Sequence, residues 1–224
     1  MTRMDISGEF VEFALLGQDW VLWLLVGLSV ISVAVMIERA IFFRRQRFDA
    51  EAFERAVRGA LESGDTAALE ERFGRSSAMA VVVALTGVRE RERGVDAVAE
   101  AMNGAKTRAR QEQEQNLVVL GTLGNNAPFI GLFGTVLGII AAFEHLSDKP
   151  SDVIDAVMGD VSRALVATAV GILVAIPAVV AFNLYQRRVR AEVGRTDALA
   201  HVILGQVHAS AGGGGRRSAG PEVA

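Results

Sequence analysis

A chain of 224 residues that is 51% hydrophobic and contains uncharged apolar runs of 18 to 27 residues belongs to the membrane class, since about 20 such residues cross a bilayer at 1.5 Å per residue. The formal charge of −3 leaves no nucleic-acid footprint, because acids are dispersed while bases cluster beside the apolar runs. The absence of cysteine excludes disulfides, thiolate metal sites and cysteine nucleophiles, and His145, His201 and His208 are too scattered for a metal cluster and read as surface residues.

In chain order, residues 1–19 place Phe10, Phe13 and Leu16 on one face beside acidic positions, which predicts an amphipathic helix on the outer membrane surface. The run Trp20 to Ile37 begins a first transmembrane helix over 20–43. It is preceded by Asp5, Glu9, Glu12 and Asp19 against only Arg3, so it reads as a retained anchor rather than a secretory signal. Residues 44–116 then read as a cytoplasmic helical domain. Asp49 caps AEAFERAVRGALES, Gly64 ends it, and Asp65 caps TAALEERFG. The cluster MAVVVALTGV is too short to span and predicts a buried helix. Beyond Gly94 no proline intervenes, so one unbroken helix is predicted to run into the second span.

The second span covers 117–143, a loop of 144–160 follows, and the third span covers 161–185 and continues as a cytoplasmic helix over 186–208. Residues 209–224, rich in glycine, read as a disordered tail. Arginines and Lys106 cluster after the first span, before the second and after the third. The positive-inside rule therefore puts the N-terminus and the 144–160 loop outside and the C-terminus in the cytoplasm.

The two later spans are built for close approach. Gly124, Gly131 and Gly138 recur every seven residues with Gly134 beside them, and Ala164, Thr168, Gly171, Ala175 and Ala178 line the other helix at spacings of three and four. Small residues let helix backbones meet in lipid, where the hydrophobic effect cannot drive association. Pro128 and Pro177 each lack a donor and are predicted to kink their helices. Asn125 and Asn126 lie where an unpaired amide costs several kcal/mol, so they must face protein, water or a partner.

Thr135 and Thr168 stand equally far in sequence from the middle of the loop, near residues 151 and 152, so antiparallel helices hold them at one depth. A transmembrane threonine often bonds back to the carbonyl four residues earlier. Two at one depth beside small residues point instead to a shared hydrophilic path. Neither Leu117 to Phe143 nor Ala164 to Phe182 contains Asp, Glu, Lys, Arg or His, so a proton relay through these spans needs a titratable group from a second subunit. Nothing in the sequence carries a nucleophile and base pair, a phosphate loop or a metal motif, so no enzyme, cofactor or metal is expected.

The segments LGTLGNNAPFIGLFGTVLGIIAAF and SRALVATAVGILVAIPAVVAFN resemble the ExbB/TolQ group of the MotA/TolQ/ExbB proton-channel family. The resemblance implies an all-α integral membrane protein of the bacterial inner membrane, with three transmembrane helices, long helices extending into the cytoplasm and a homopentameric ring. That ring would surround the single spans of ExbD/TolR-like subunits, whose aspartate carries the proton. It implies that Thr135, in FGTV, and Thr168, in ALVATA, line the pore, with Asn125, Asn126, Pro128, Gly131, Gly134, Gly138, Gly171 and Pro177 serving pore or helix packing. Where the family commonly has glutamate two residues before the ALVATA leucine, this chain has Arg163, with Asp160 one turn earlier placed to pair with it. Glu38 and Arg39, at the inner end of the first span, are expected to anchor at the interface or pair between subunits. The implied function is a channel and stator subunit of a motor driven by the proton-motive force, energising outer-membrane transport through a TonB-like protein, envelope maintenance or gliding. The alternative is a structural membrane scaffold in which the threonines only pack helices.

Overall fold

The computed structural model describes residues 19–148 and 153–214, and among them every element is helical. Helix α1 spans Asp19–Arg45, α2 Ala50–Ser63, α3 Ala67–Phe73, α4 Met79–Arg89, α5 Val95–Glu114, α6 Leu117–Asp148 and α7 Val153–Gly214, with one 3₁₀ turn at Arg91–Arg93. Helices α1, α6 and α7 are long and apolar enough to cross a membrane. The amphipathic helix expected over 1–19 lies outside the described residues apart from Asp19, which opens α1.

Four boundaries differ from those read in the sequence. Helices α5 and α6 are separate, because Asn116 adopts a left-handed φ of 65° and Gln115 is extended. Asparagine is among the few residues that tolerate this region, so it breaks a helix without glycine or proline. The predicted loop of 144–160 is helical in its described parts, since α6 runs to Asp148 and α7 begins at Val153. The charges at Glu144 and His145 end the apolar run without ending the helix. The helix of the third span runs to Gly214, six residues into the predicted tail. Finally, Asp65 does not cap α3. Its carboxylate accepts from the Ala67 amide at 3.0 Å in a two-residue turn, and Thr66 holds the cap position.

The chain forms two compact units, one from residues up to Arg39 with Asn116–Leu184, the other from Ala40–Gln115 and the chain beyond Tyr185. In the second unit, Asp49 caps α2 by accepting from the Ala52 amide at 3.0 Å, and Gly64 closes that helix at a φ of 78°. Phe53 is 1% exposed and meets Phe48 and Phe73 edge-on. Around this point α4 is buried on almost every side, as its continuous apolar sequence requires, with Met79, Val81, Val83 and Val88 packed on Val98 and Met102 of α5 and Ile203 of α7. Gly87 makes the crossing possible: a Cβ there would stand 2.5 Å from the Met102 sulfur and 3.3 Å from Ile203. Two polar links join α5 to other segments of this unit. Lys106 donates to Asp197 at 2.7 Å, and the buried Gln113 donates to Gln46 at 3.0 Å.

The first unit has a thin core of Val21, Leu25, Ala127, Leu137, Val174 and Ala175, edged by Trp20, Ile130, Phe133 and Val170. Trp20 meets Phe133 edge-on at 6.3 Å, which seats the start of α1 against α6. Most of the remaining apolar surface is outward: Trp23, Val30, Phe129, Phe143, Leu165 and Leu173 are all exposed. In water such a surface would be untenable, whereas lipid tails or neighbouring helices cover it at no cost.

Candidate functional site

The glycines set how α6 and α7 meet. A Cβ built on Gly131 would lie 2.7 Å from the Ala167 carbonyl oxygen and 3.0 Å from the Thr168 Cα, and one on Gly171 would lie 2.6 Å from the Ala127 carbonyl oxygen. Real Cβ atoms do not come this near to backbone, so only glycine permits the contact at both points. The register is antiparallel. Gly121 lies against Phe182, Gly124 against Val179, Gly131 against Thr168, and Gly134 against Ala167 and against Val21 of α1. Gly138, Ala164, Ala167 and Ala178 are also buried, Ala167 against Gly134.

This register places Thr135 and Thr168 within about one turn of each other in depth, a rise of roughly 5.4 Å. Their hydroxyls have different surroundings. Thr135, half-buried, donates to the Leu132 carbonyl at 2.6 Å, three residues back rather than four. The Thr168 hydroxyl oxygen is shielded from solvent and has no hydrogen-bond partner among the described residues. A shielded hydroxyl without a partner costs about 1–3 kcal/mol. Gly131 lies against the Thr168 Cα, so the close approach of the two backbones comes at this residue.

Ser32 of α1 is also buried, with a shielded hydroxyl that has no partner among the described residues, whereas the asparagines lie outward. Asn125 and Asn126 are both exposed on α6, and the Asn126 amide donates to the Thr122 carbonyl at 2.8 Å. Pro128 and Pro177 sit inside helices that continue past them, so the carbonyls of Gly124 and Leu173, four residues earlier, lose their usual helical donors. Glu38 and Arg39 form an ion pair with each other within one chain, and the Asn116 amide approaches Glu38 at 3.4 Å. Arg39 is 3% exposed, and the pair with Glu38 offsets part of the cost of burying its charge.

At the end of the hairpin nearest residues 149–152, Arg163 is exposed, and Asp160 is bonded to His145 at 2.8 Å. The sequence reading offered Asp160 to Arg163 and treated His145 as an isolated surface residue. It missed the pair because fifteen residues separate the two. The antiparallel register already legible from the threonines was the available signal, since it folds the ends of both spans onto each other.

Three apolar helices, two of them joined along a glycine seam with a polar layer, describe a multi-span membrane protein built for helix association. The matching family is the one described as the MotA/TolQ/ExbB proton channel family, over residues 45–198. That stretch is more than half of the 224 residues, and the chain belongs to this family, in its ExbB/TolQ group. Among curated relatives, the biopolymer transport protein ExbB of Xanthomonas campestris pv. campestris is 42% identical over 101 residues, 45% of this chain and 40% of the relative. The Tol-Pal system protein TolQ of Pseudomonas aeruginosa is 36% identical over 120 residues, 52% of each chain. A putative biopolymer transport protein, ExbB-like 2, of Helicobacter pylori is 40% identical over 94 residues, 42% of this chain and 63% of the relative. The chain thus spans about half the length of the curated relatives it matches.

Proposed function

We propose that this chain is the channel-forming subunit of a proton-driven motor in the bacterial inner membrane, of the kind that serves a Ton or Tol system. Several copies, five by family resemblance, enclose the single span of an ExbD/TolR-like partner. The N-terminus and the end near residues 149–152 lie in the periplasm, and the C-terminus lies in the cytoplasm. The partner's aspartate accepts a proton within the Thr135 and Thr168 layer, loses its charge, and regains it on the cytoplasmic side. Hydroxyls suit this task because each both donates and accepts, and so can solvate a carboxylate and a carboxylic acid in turn. Each inward charge brings about 2.3 kcal/mol per 100 mV of membrane potential, before any pH gradient. The work done on the partner energises outer-membrane transport through a TonB-like protein, envelope maintenance or gliding.

The observation that carries this reading is the Thr168 hydroxyl, shielded and without a partner among the described residues, on a residue whose Cα lies against Gly131 of the other helix. The reading explains the omission, because the missing partner belongs to another subunit. The competing scaffold reading draws on Thr135, whose hydroxyl already bonds to the Leu132 carbonyl as a packing threonine would.

Proton flux into vesicles separates the two. With the ExbD/TolR-like partner co-expressed, the wild type is expected to conduct and the double variant Thr135→Val with Thr168→Val to lose flux while still assembling. Work by the assembled complex that survives the double substitution would reduce both threonines to packing and favour the scaffold.

A further inference from the structure

We infer that Asn125 is a polar clasp between copies of this chain: its amide donates to the Leu173 backbone carbonyl that Pro177 leaves open in the neighbouring copy. The clasp rests on the reading above that several copies form a ring, and it is one contact that closes that ring.

Asn125 is an amide that the hairpin leaves unanswered on its outer surface. It is exposed and has no hydrogen-bond partner among the described residues, whereas its neighbour Asn126 donates to the Thr122 carbonyl at 2.8 Å within its own helix. Asn125 opens a stripe that continues through Phe129, Leu132 and Val136, all exposed and all apolar, at the spacing of one helix face. Lipid tails can cover those three side chains, but they offer nothing to an amide, and an unpaired amide in hydrocarbon is costly.

A matching acceptor lies on the other helix of the hairpin. Pro177 is exposed inside α7 and carries no N–H, so the Leu173 carbonyl, four residues earlier, lacks its helical donor. Leu173 is 70% exposed and Ile176 59%, so this turn of α7 faces away from the seam that α7 shares with α6.

The donor and the acceptor are level. Gly124 meets Val179, so Asn125, one residue on, stands level with Ala178 in the antiparallel register. A helical carbonyl points along the axis toward the residue four positions on, which for Leu173 is Pro177. The two groups therefore lie within about one turn of each other in depth, a rise of roughly 5.4 Å. Depth decides what can meet between copies. Rotation about the membrane normal keeps every residue at its own depth, so a group on one copy reaches only what is already level with it in the chain. Neighbours in such a ring present two different faces to each other, here the outward face of α6 and the outward face of α7. Across that boundary the Asn125 amide gains an acceptor, and the Leu173 carbonyl gains the donor that proline removed.

The chain has no cysteine, so introduced pairs read the contact directly. Two differently tagged copies, one with Asn125→Cys and one with Ile176→Cys, are co-expressed in membranes with the ExbD/TolR-like partner. Oxidation is expected to give a disulfide that joins both tags. Asn125→Cys with Leu165→Cys is the control: Leu165 is 64% exposed but lies about 16 Å from Ile176 along α7 and should not join. Benzophenone maleimide on Asn125→Cys alone captures whatever covers that residue, and a second copy is expected. A double-mutant cycle on dissociation of the assembly in detergent reads the bond itself. Asn125→Leu, and Pro177→Ala, which restores the N–H that the Leu173 carbonyl lacks, are each expected to weaken association roughly three- to twenty-fold per contact, with no further loss when combined. An assembled complex in which the benzophenone captures only the partner or lipid, in which the cysteines at 125 and 176 do not join, or in which the two losses add, would overturn the clasp and leave the ring standing. A wild-type chain that stays monomeric would overturn both.

Discussion

Gly131→Ala tests whether the glycine seam holds α6 against α7. The added Cβ would sit 2.7 Å from the Ala167 carbonyl oxygen and 3.0 Å from the Thr168 Cα, whereas ordinary contact begins at 3.4 Å, so the helices must part by about 0.7 Å. Neither neighbour can rotate away, because both atoms are backbone. Overpacking of this kind costs about 1–3 kcal/mol. Alanine also favours the helix over glycine by about 1 kcal/mol, which offsets part of the loss. The net destabilisation is therefore about 1 kcal/mol, equivalent to roughly 2–4 °C for a chain of this size. Gly194→Ala is the matched control, since that glycine is exposed within α7 and a Cβ there meets nothing within 4 Å. It receives only the helix term and should gain about 1 kcal/mol. Thermal unfolding of the whole protein in detergent, followed by tryptophan fluorescence, reads both variants, because Trp20 lies against Phe133 two residues from Gly131. The two variants should lie on opposite sides of the wild type. A Gly131→Ala protein as stable as Gly194→Ala would refute the close approach on which the polar layer depends.

The second unit should depend on Phe53, which is 1% exposed and in contact with two other rings. Phe53→Ala is expected to cost about 3–5 kcal/mol, measured by thermal unfolding of the full chain, and a loss below 1 kcal/mol would show that this ring cluster is not central. At the break between α5 and α6, Asn116→Gly should be tolerated, whereas Asn116→Val should cost roughly 1–2 kcal/mol because a β-branched residue resists a left-handed φ. Equal stability of the two would mean that the chain does not need this conformation.

The three spanning helices were legible in the sequence because lipid imposes a length and an apolar composition that few other environments demand. The seam was legible for a related reason: Gly124, Gly131 and Gly138 have no side chain to pack, and their spacing keeps them on one face. The family followed from those same two segments. In the second unit Asp49 and Gly64 announced the ends of α2, since capping and a left-handed turn depend on residues next to each other in the chain.

Tertiary structure decided what depends on contacts between distant segments. Two local details also departed from the sequence pattern: the Asp65 carboxylate accepts from an amide only two residues on, and the conformation of Asn116 divides α5 from α6. Composition could not separate the two threonines, because a hydroxyl has the same chemistry at both positions. In the structure Thr135 bonds to a carbonyl of its own helix, whereas the Thr168 hydroxyl is shielded and has no partner among the described residues. The pairing of His145 with Asp160 arises in the same way, from two helix ends that the sequence separates and the antiparallel register brings within hydrogen-bonding distance.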